Sequence, residues 1–229
     1  MGTDLHELLK SLRVWDPATT ALPPFDPAGA PDEPLPLFAA WFAEAVAAGE
    51  TEPHTVALAT AGADGLPDVR IVMLHGADDD GWSFASHATS RKGVQLAARP
   101  YAALAFYWPV LGRQVRVRGP VTLAPPRDAR ADLHVRSTGA LAAALVGHQS
   151  EVLPSVEELA RASDAAWDRA RREPEAEAPT WTLYRLRPDE VEFFQGDERR
   201  RHVRLTYRHR PEGAQGERKG GWERELLWP

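Results

Sequence analysis

Apolar residues recur at helical spacing at the start of the chain, as Leu5, Leu8, Leu9 and Leu12, and predict a short amphipathic helix. Leu37, Phe38, Trp41, Phe42 and Ala45 predict a second helix, with Pro34 and Pro36 near its first turn, where a missing N–H is tolerated. Between the two, residues 16–36 hold seven prolines and read as an extended, irregular arm. The period then changes. Thr55–Ala61, Val69–Leu74 and Trp82–Ser86 are strand-like runs separated by the turn signals Ala63-Asp64-Gly65 and Ala77–Gly81, which together predict a β-meander. Thr89–Ala98 reads as a helix, Tyr101–Trp108 as a buried strand, and Gln114–Leu123 as a long strand in which Val115 and Val117 alternate with Gln114, Arg116 and Arg118. Residues 126–172 are helical in pattern, with breaks around Ser137-Thr138-Gly139 and from Gly147 to Pro154. Strands return at Thr180–Leu186, Glu190–Phe194, Arg201–Arg208 and Trp222–Trp228, with the glycine-rich, charged stretch 211–221 as a hairpin tip. Early and late strands with helices before and between them predict a mainly β architecture with α (α+β), an antiparallel barrel with helices packed outside.

Composition narrows the chemistry. The 229 residues suit one domain with appendages. With no cysteine there is no disulfide, thiolate metal site or Cys nucleophile to propose. The scattered histidines offer no credible third ligand near His202 and His209, so no metal site is predicted. No apolar stretch approaches the ~20 residues that span a bilayer, the first residues lack a secretory pattern, and a cytoplasmic protein with no membrane partner is the expectation. A net charge of −6 disfavours nucleic acid, since phosphate neutralisation needs clustered excess positive charge. The charge is uneven, however: Glu and Asp crowd 151–178, whereas 199–210 is strongly basic, which points to a local anion site.

Two constellations could carry chemistry. Thr89-Ser90-Arg91-Lys92 follows a strand and opens a helix, so a capping hydroxyl, free amides and two cations meet there, and Arg70 on a meander strand could converge on the same spot. The alternative is an ordinary capped surface helix. In the basic run, strand periodicity would put Arg200, His202 and Arg204 on one face, two guanidinium groups flanking an imidazole, as suits an anionic or carbonyl-bearing ligand. The alternative is a solvated edge strand whose arginines discourage pairing. Trp15, Trp41, Trp82, Trp108, Trp167 and Trp181 read as packing residues rather than a cofactor stack.

In order along the chain stand Arg70-Ile71-Val72-Met73-Leu74, Phe84-Ala85-Ser86-His87-Ala88-Thr89-Ser90-Arg91-Lys92, Arg113-Gln114-Val115, Gln149-Ser150, Glu192-Phe193-Phe194-Gln195-Gly196 and Arg200-x-His202-x-Arg204. From about Pro34 to the C-terminus this series resembles the pyridoxamine 5′-phosphate oxidase family. The resemblance implies a six-stranded split barrel over 34–229, preceded by the helix and arm of 1–33 and carrying a helical insertion at about 126–172. It also implies a homodimer with FMN in the subunit interface. Arg70, Ser86, Arg91 and Lys92, with Ala85 beside them, would hold the FMN phosphate, and the backbone of Ile71, Val72 and Met73 would follow the flavin. Gln114 would address the ring of the same site, while Gln149, Ser150, Phe194 and Arg204 would reach it from the other subunit. Phe194 stands where the family usually has tryptophan. Arg200 and His202 match the pair that orients substrate and handles protons.

The family's vitamin B6 enzymes grip the substrate phosphate with a lysine, a tyrosine, an arginine and a serine. Here the matching positions are His75, Asp132, Arg136 and Ala140. A carboxylate beside a phosphate dianion is repulsive, and each lost charge-assisted bond costs ~1.5–3 kcal/mol. A similar loss, with the arginine–histidine pair kept, occurs in the family's phenazine-biosynthesis oxidases. The resemblance therefore implies an FMN-dependent oxidase that passes two electrons from a reduced heterocycle to the flavin and then to dioxygen. The alternatives are a pyridoxamine/pyridoxine 5′-phosphate oxidase, and a non-catalytic split barrel that carries flavin or haem.

Overall fold

The computed structural model describes residues 4–15, 20–210 and 221–229. Helix α1 (Leu5–Ser11) begins on an Asp4 cap, and its three leucines stay exposed, as does Leu12 after it. The arm from Thr20 onward has no regular structure but is held down. Phe25 meets Trp41 edge to face at 5.0 Å, and the Tyr207 hydroxyl donates to the Pro31 carbonyl at 2.8 Å. Helix α2 (Pro34–Ala47) carries the predicted stripe, burying Leu37, Phe38, Trp41 and Ala45. Phe38 is the hub, within aromatic contact of Trp82, Phe106 and Trp108. Burial of such rings accounts for much of the stabilisation of a core this size.

Among the described residues ten strands make one curled antiparallel sheet. They are β1 (Thr55–Ala61), β2 (Pro67–Met73), β3 (Gly76–Asp78), β4 (Gly81–His87), β5 (Tyr101–Trp108), β6 (Arg113–Leu123), β7 (Trp181–Leu186), β8 (Glu190–Gln195), β9 (Val203–Arg210) and β10 (Gly221–Leu227). The main path runs β10-β9-β8-β6-β5-β1-β2, and β6 also pairs with β7, which carries β4 and β3. The long β6 serves both halves, Arg113–Arg118 facing β8 and Val121–Leu123 facing β7. The sequence pattern marked nine of these strands and missed the short β3, and the sheet exceeds the six strands that the family resemblance implied. Residues read as the Ala77–Gly81 turn in fact start with β3, paired to β4.

The expectation of a buried Tyr101–Trp108 strand is corrected. β5 buries Ala102, Leu104, Phe106 and Trp108, but leaves Tyr107 57% exposed, so only one face is in the core. Helix α3 (Arg91–Ala98) packs beside β1. α4 (Pro126–His134), α5 (Thr138–Val146) and α6 (Val156–Arg172) form the insertion, with breaks where the sequence placed them. The stretch read as a hairpin tip lies, apart from Gly221, outside the described residues.

Candidate active site

At the turn from β4 into α3 the local chemistry is tightly packed. Ser90 caps the helix, its Oγ accepting from the Gly93 amide at 3.3 Å. A Cβ on Gly93 would lie 2.3 Å from the Ala88 carbonyl oxygen, so only glycine allows the helix to start this close to β4. The Arg91 amide donates to Ser150 Oγ at 3.1 Å. Lys92 is pulled inward: its ammonium donates to Ser86 Oγ at 3.0 Å and to Gln149 Oε1 at 3.1 Å, both neutral acceptors. It is buried, and no carboxylate pairs with it among the described residues. Burial, then the charge of Arg70, lower its pKa, with Asp68 opposing. A buried cation satisfied only by neutral oxygens lacks a counter-charge.

Arg70 is placed differently. It is paired with Asp68 at 2.8 Å and donates to Gln95 Oε1, Thr60 Oγ1 and the Leu58 carbonyl, so most of its donors are engaged. Together these groups border an open cleft of ≈ 640 Å³ that also meets Ile71, Met73, His75, Ala85 and Trp181. β2 is the terminal strand of the main path, so its outer backbone groups have no ladder partner there. The Trp181 indole N–H is buried without a partner among the described residues. A second hollow of ≈ 680 Å³, walled by Val146, Val152, Leu153 and Leu159, includes no Lys or Arg side chain.

At the far end of the cleft's β2 wall, His75 Nδ1 lies 2.8 Å from Asp132 Oδ2. Arg136 grips the same carboxylate from the other side, Nη2 to Oδ1 at 2.8 Å and Nε to Oδ2 at 3.2 Å. Burial would raise the Asp132 pKa, but the hydrogen bonds from His75 and Arg136 outweigh it and bring it down to about 2. Ala140, in the first turn of α5, contributes no polar side-chain atom.

The second predicted cluster lies on other strands. Gln114, Phe194 and Arg204 form a row across β6, β8 and β9. Arg204 is committed to Glu192, through Nε and Nη2 at 3.0 Å each, and to the Trp228 carbonyl at 2.9 Å. The idea that Arg200, His202 and Arg204 share a strand face is corrected: β9 starts only at Val203, and Arg200 has a left-handed φ of 63°. Arg200 and His202 sit instead on a turn organised by Asp197, whose carboxylate accepts from the Arg199 and Arg201 amides, while Arg204 is in β9. The Asp197 amide donates to His202 Nδ1 at 3.0 Å. Trp15 packs edge-on to His202 at 5.4 Å and near Phe194 at 6.3 Å, in a slot where a Cβ on Gly196 would come within 2.9 Å of the indole.

Comparison with known proteins decides the class. Residues 42–170 match the pyridoxamine 5′-phosphate oxidase family and residues 181–229 match the pyridoxine 5′-phosphate oxidase C-terminal dimerisation region. The chain belongs to the pyridoxamine 5′-phosphate oxidase family. Relatives include the pyridoxine/pyridoxamine 5′-phosphate oxidases of Pseudomonas fluorescens SBW25, 40% identical over 88% of this chain and 91% of that protein, and of Nitrobacter hamburgensis, 44% identical over 86% and 90%. Among solved structures, PhzG from Burkholderia lata 383, in complex with tetrahydrophenazine-1-carboxylic acid, is 30% identical with a TM-score of 0.81, over 91% of this chain and 99% of that one. An FMN-binding protein related to pyridoxamine 5′-phosphate oxidase, from Nostoc punctiforme, shares the fold at 21% identity and a TM-score of 0.64, over 84% and 97%.

As a member of the pyridoxamine 5′-phosphate oxidase family the chain is a flavin-binding oxidoreductase of the oxidase type, with a dimerisation region at its C-terminal end. Within one chain of this family fold the structure divides the expected residues in two. Arg70, Ile71, Val72, Met73, Ala85, Ser86, Arg91 and Lys92 border or support the cleft, and Gln149 and Ser150 join them in the same chain rather than from a second subunit. Gln114, by contrast, stands with Phe194 and Arg204, separated from β2 by β5 and β1. Sequence reasoning missed Trp181, taken as packing, and the clamp of Asp68 and Gln95 on Arg70. Asp68, two residues before Arg70 and on the same strand face, was the available signal for that clamp. No helix among the described residues is long and apolar enough to cross a membrane.

Proposed function

We propose that the chain is an FMN-dependent oxidase acting on a reduced, unphosphorylated heterocycle, with dioxygen as the final acceptor. The observation that carries the substrate side is Asp132, which takes up both Arg136 and His75, the positions where a substrate phosphate would otherwise be gripped. The cofactor side rests on Lys92, a buried cation for which the FMN phosphate supplies the missing charge, with Arg91, Ser86, Gln149 and Ser150 around it. Arg70 enters this pocket already oriented by Asp68 and Gln95. The free edge of β2 at Ile71–Met73 offers backbone groups to the polar rim of the flavin. When bound, FMN supplies the two-electron acceptor.

The outer face of the sheet supports a homodimer with the flavin in its interface. Val69, Ile71 and Met73 are 55–66% exposed on an edge strand, beside the small outward residues Ala57 and Ala59 of β1 and Ala103 and Ala105 of β5. A second subunit covering this face would bring its Gln114, Phe194 and Arg204 row to the first subunit's cleft. In that arrangement Arg200 orients the substrate and His202 handles a proton. Because His202 Nδ1 accepts from the Asp197 amide, the neutral ring carries its proton on Nε2 and donates from there.

The second reading, a pyridoxine/pyridoxamine 5′-phosphate oxidase, is favoured by the relatives' names and by the retained Arg136. One experiment separates the two. The purified protein should show a flavin spectrum that stays oxidised on anaerobic addition of pyridoxamine 5′-phosphate and bleaches with tetrahydrophenazine-1-carboxylic acid. Rapid bleaching by pyridoxamine 5′-phosphate would return the protein to vitamin B6 chemistry.

A further inference from the structure

The two histidines that border the proposed reaction space are held in opposite ways. His202 receives a hydrogen bond at Nδ1. His75 must give one there, because Asp132 is a carboxylate with no proton of its own and the Nδ1–Oδ2 contact is 2.8 Å. A neutral His75 therefore carries its hydrogen on Nδ1 and leaves Nε2 as a bare lone pair.

The surroundings fix this choice. Asp132 cannot turn away, since Arg136 holds both of its oxygens. The His75 backbone is also tied down, its amide donating to the Ser83 carbonyl at 2.7 Å, while Leu74 before it donates to the His54 carbonyl. The side chain of His75 is only 8% exposed, and the ring borders the same cleft as Lys92, Ser86 and Ile71. The charged groups that face it are Asp132 and Arg136 from α4 and the turn after it, Asp68 and Arg70 from β2, and Arg91 and Lys92 across the cleft on α3. A carboxylate that locks an imidazole tautomer is the arrangement by which a histidine is prepared to accept a proton.

We propose that His75 and Asp132 form a carboxylate–imidazole dyad in which His75 Nε2 takes the proton from a substrate N–H as the adjacent C–H is oxidised, Asp132 being its positioning residue. The inference rests on the oxidase reading above and names its substrate class: a partly reduced nitrogen heterocycle that gains a C=N bond. In that step the C–H hydrogen leaves with both bonding electrons to the flavin acceptor of the family reaction. The N–H bond breaks, its electrons form the new π bond, and the proton passes to His75 Nε2. The substrate is oxidised by two electrons and the acceptor reduced by two. His202, with its proton on Nε2, is the opposite partner, a donor toward the substrate.

The first test needs no substrate. Long-range ¹⁵N–¹H correlation spectra of the flavin-loaded protein, assigned with His75→Gln and His202→Gln, should show the neutral form of His75 protonated at Nδ1 and bare at Nε2, and the neutral form of His202 the reverse. Asp132→Asn should abolish the fixed tautomer of His75 while the His202 signals stay put. A His75 that carries its proton on Nε2, or stays doubly protonated from about pH 6 to 9, overturns the dyad. The second test is anaerobic bleaching of the flavin by tetrahydrophenazine-1-carboxylic acid. His75→Gln should lower the limiting rate about a hundredfold, with little change in the concentration for half-saturation, and remove the fall in rate on the low-pH side of the profile that a base must show. An unchanged rate in His75→Gln overturns the proton role. If that compound fails to bleach the wild-type flavin while the tautomers stand as described, the oxidase-substrate reading falls and the dyad is retained on the spectra.

Discussion

Two sets of cations on this sheet look alike in sequence and are opposite in physics. On the outer face of β6, β8 and β9, Arg116 meets Glu192 at 3.2 Å, Arg118 meets Glu190 at 3.0 Å, and Arg204 holds Glu192 with two hydrogen bonds. Arg208 adds contacts to Glu190 and Glu225. Glu190 and Glu192 are each shared between arginines, so each of these four guanidinium groups has a carboxylate partner within the protein. Beside α3, Lys92 is buried among hydroxyl and amide oxygens, and Arg91 has no ion pair among the described residues. One set is complete as it stands; the other is complete only with an anion. What distinguishes a binding cation from a structural one is the missing carboxylate, not the cation.

The sharpest way to break the comparison is Glu192→Ala. It removes both side-chain hydrogen bonds of Arg204 to a carboxylate and leaves Arg116 with its 4.0 Å contact to Glu190, and should cost about 3 kcal/mol of stability, read from urea melts. Lys92→Met should do the reverse to the fold. Removing the uncompensated buried charge should raise the melting temperature of the flavin-free protein by about 2–4 °C, corresponding to ~1 kcal/mol. It should also weaken FMN by about a hundredfold, as loss of a charged hydrogen bond of up to ~3 kcal/mol requires. Fluorescence titration of free FMN measures this. A variant that binds FMN as before would place Lys92 among the structural cations.

An intermediate effect is expected at Asp132. Its folded pKa of about 2 lies below the ordinary 3.8, so its contribution is fully present above about pH 4 and is lost as the pH falls through 2. A shift of this size corresponds to roughly 2 kcal/mol. Thermal melts between pH 5 and pH 2 should fall more steeply in the wild type than in Asp132→Asn. The smallest effect belongs to Arg208→Lys, whose half-exposed ion pairs should contribute no more than about 1 kcal/mol.

Much of the scaffold was legible because burial leaves a period in the chain. The α2 stripe of Leu37, Phe38, Trp41 and Ala45 and the β6 alternation of Val115 and Val117 both report which face meets the core. Ser90-Arg91-Lys92 was legible because a capping serine before two cations is a local signal. Pairings across the fold leave no such trace. Nothing in the order of residues says that Gln149, 57 positions after Lys92, will accept its hydrogen bond in the same chain, or that Arg204 is spoken for by Glu192. The face assigned to Arg200 failed for a local reason: the Asp197 side chain gathers the following amides into a turn, and the left-handed Arg200 ends the alternation before the strand begins. Trp15 is of the same kind, since its slot is made by Gly112 and Gly196, two residues far from it and from each other.

The anion pocket is built on β2, β4 and α3, whereas Asp132 and Arg136 arrive on α4 and the turn after it, which pack against β7 and α5. The two ends of the cleft therefore take their charged side chains from different helices, α3 and α4. On the proposed reading, changes in α4 would redirect what the protein oxidises more than how it keeps its cofactor, so substrate choice would drift over generations while the redox core stays fixed.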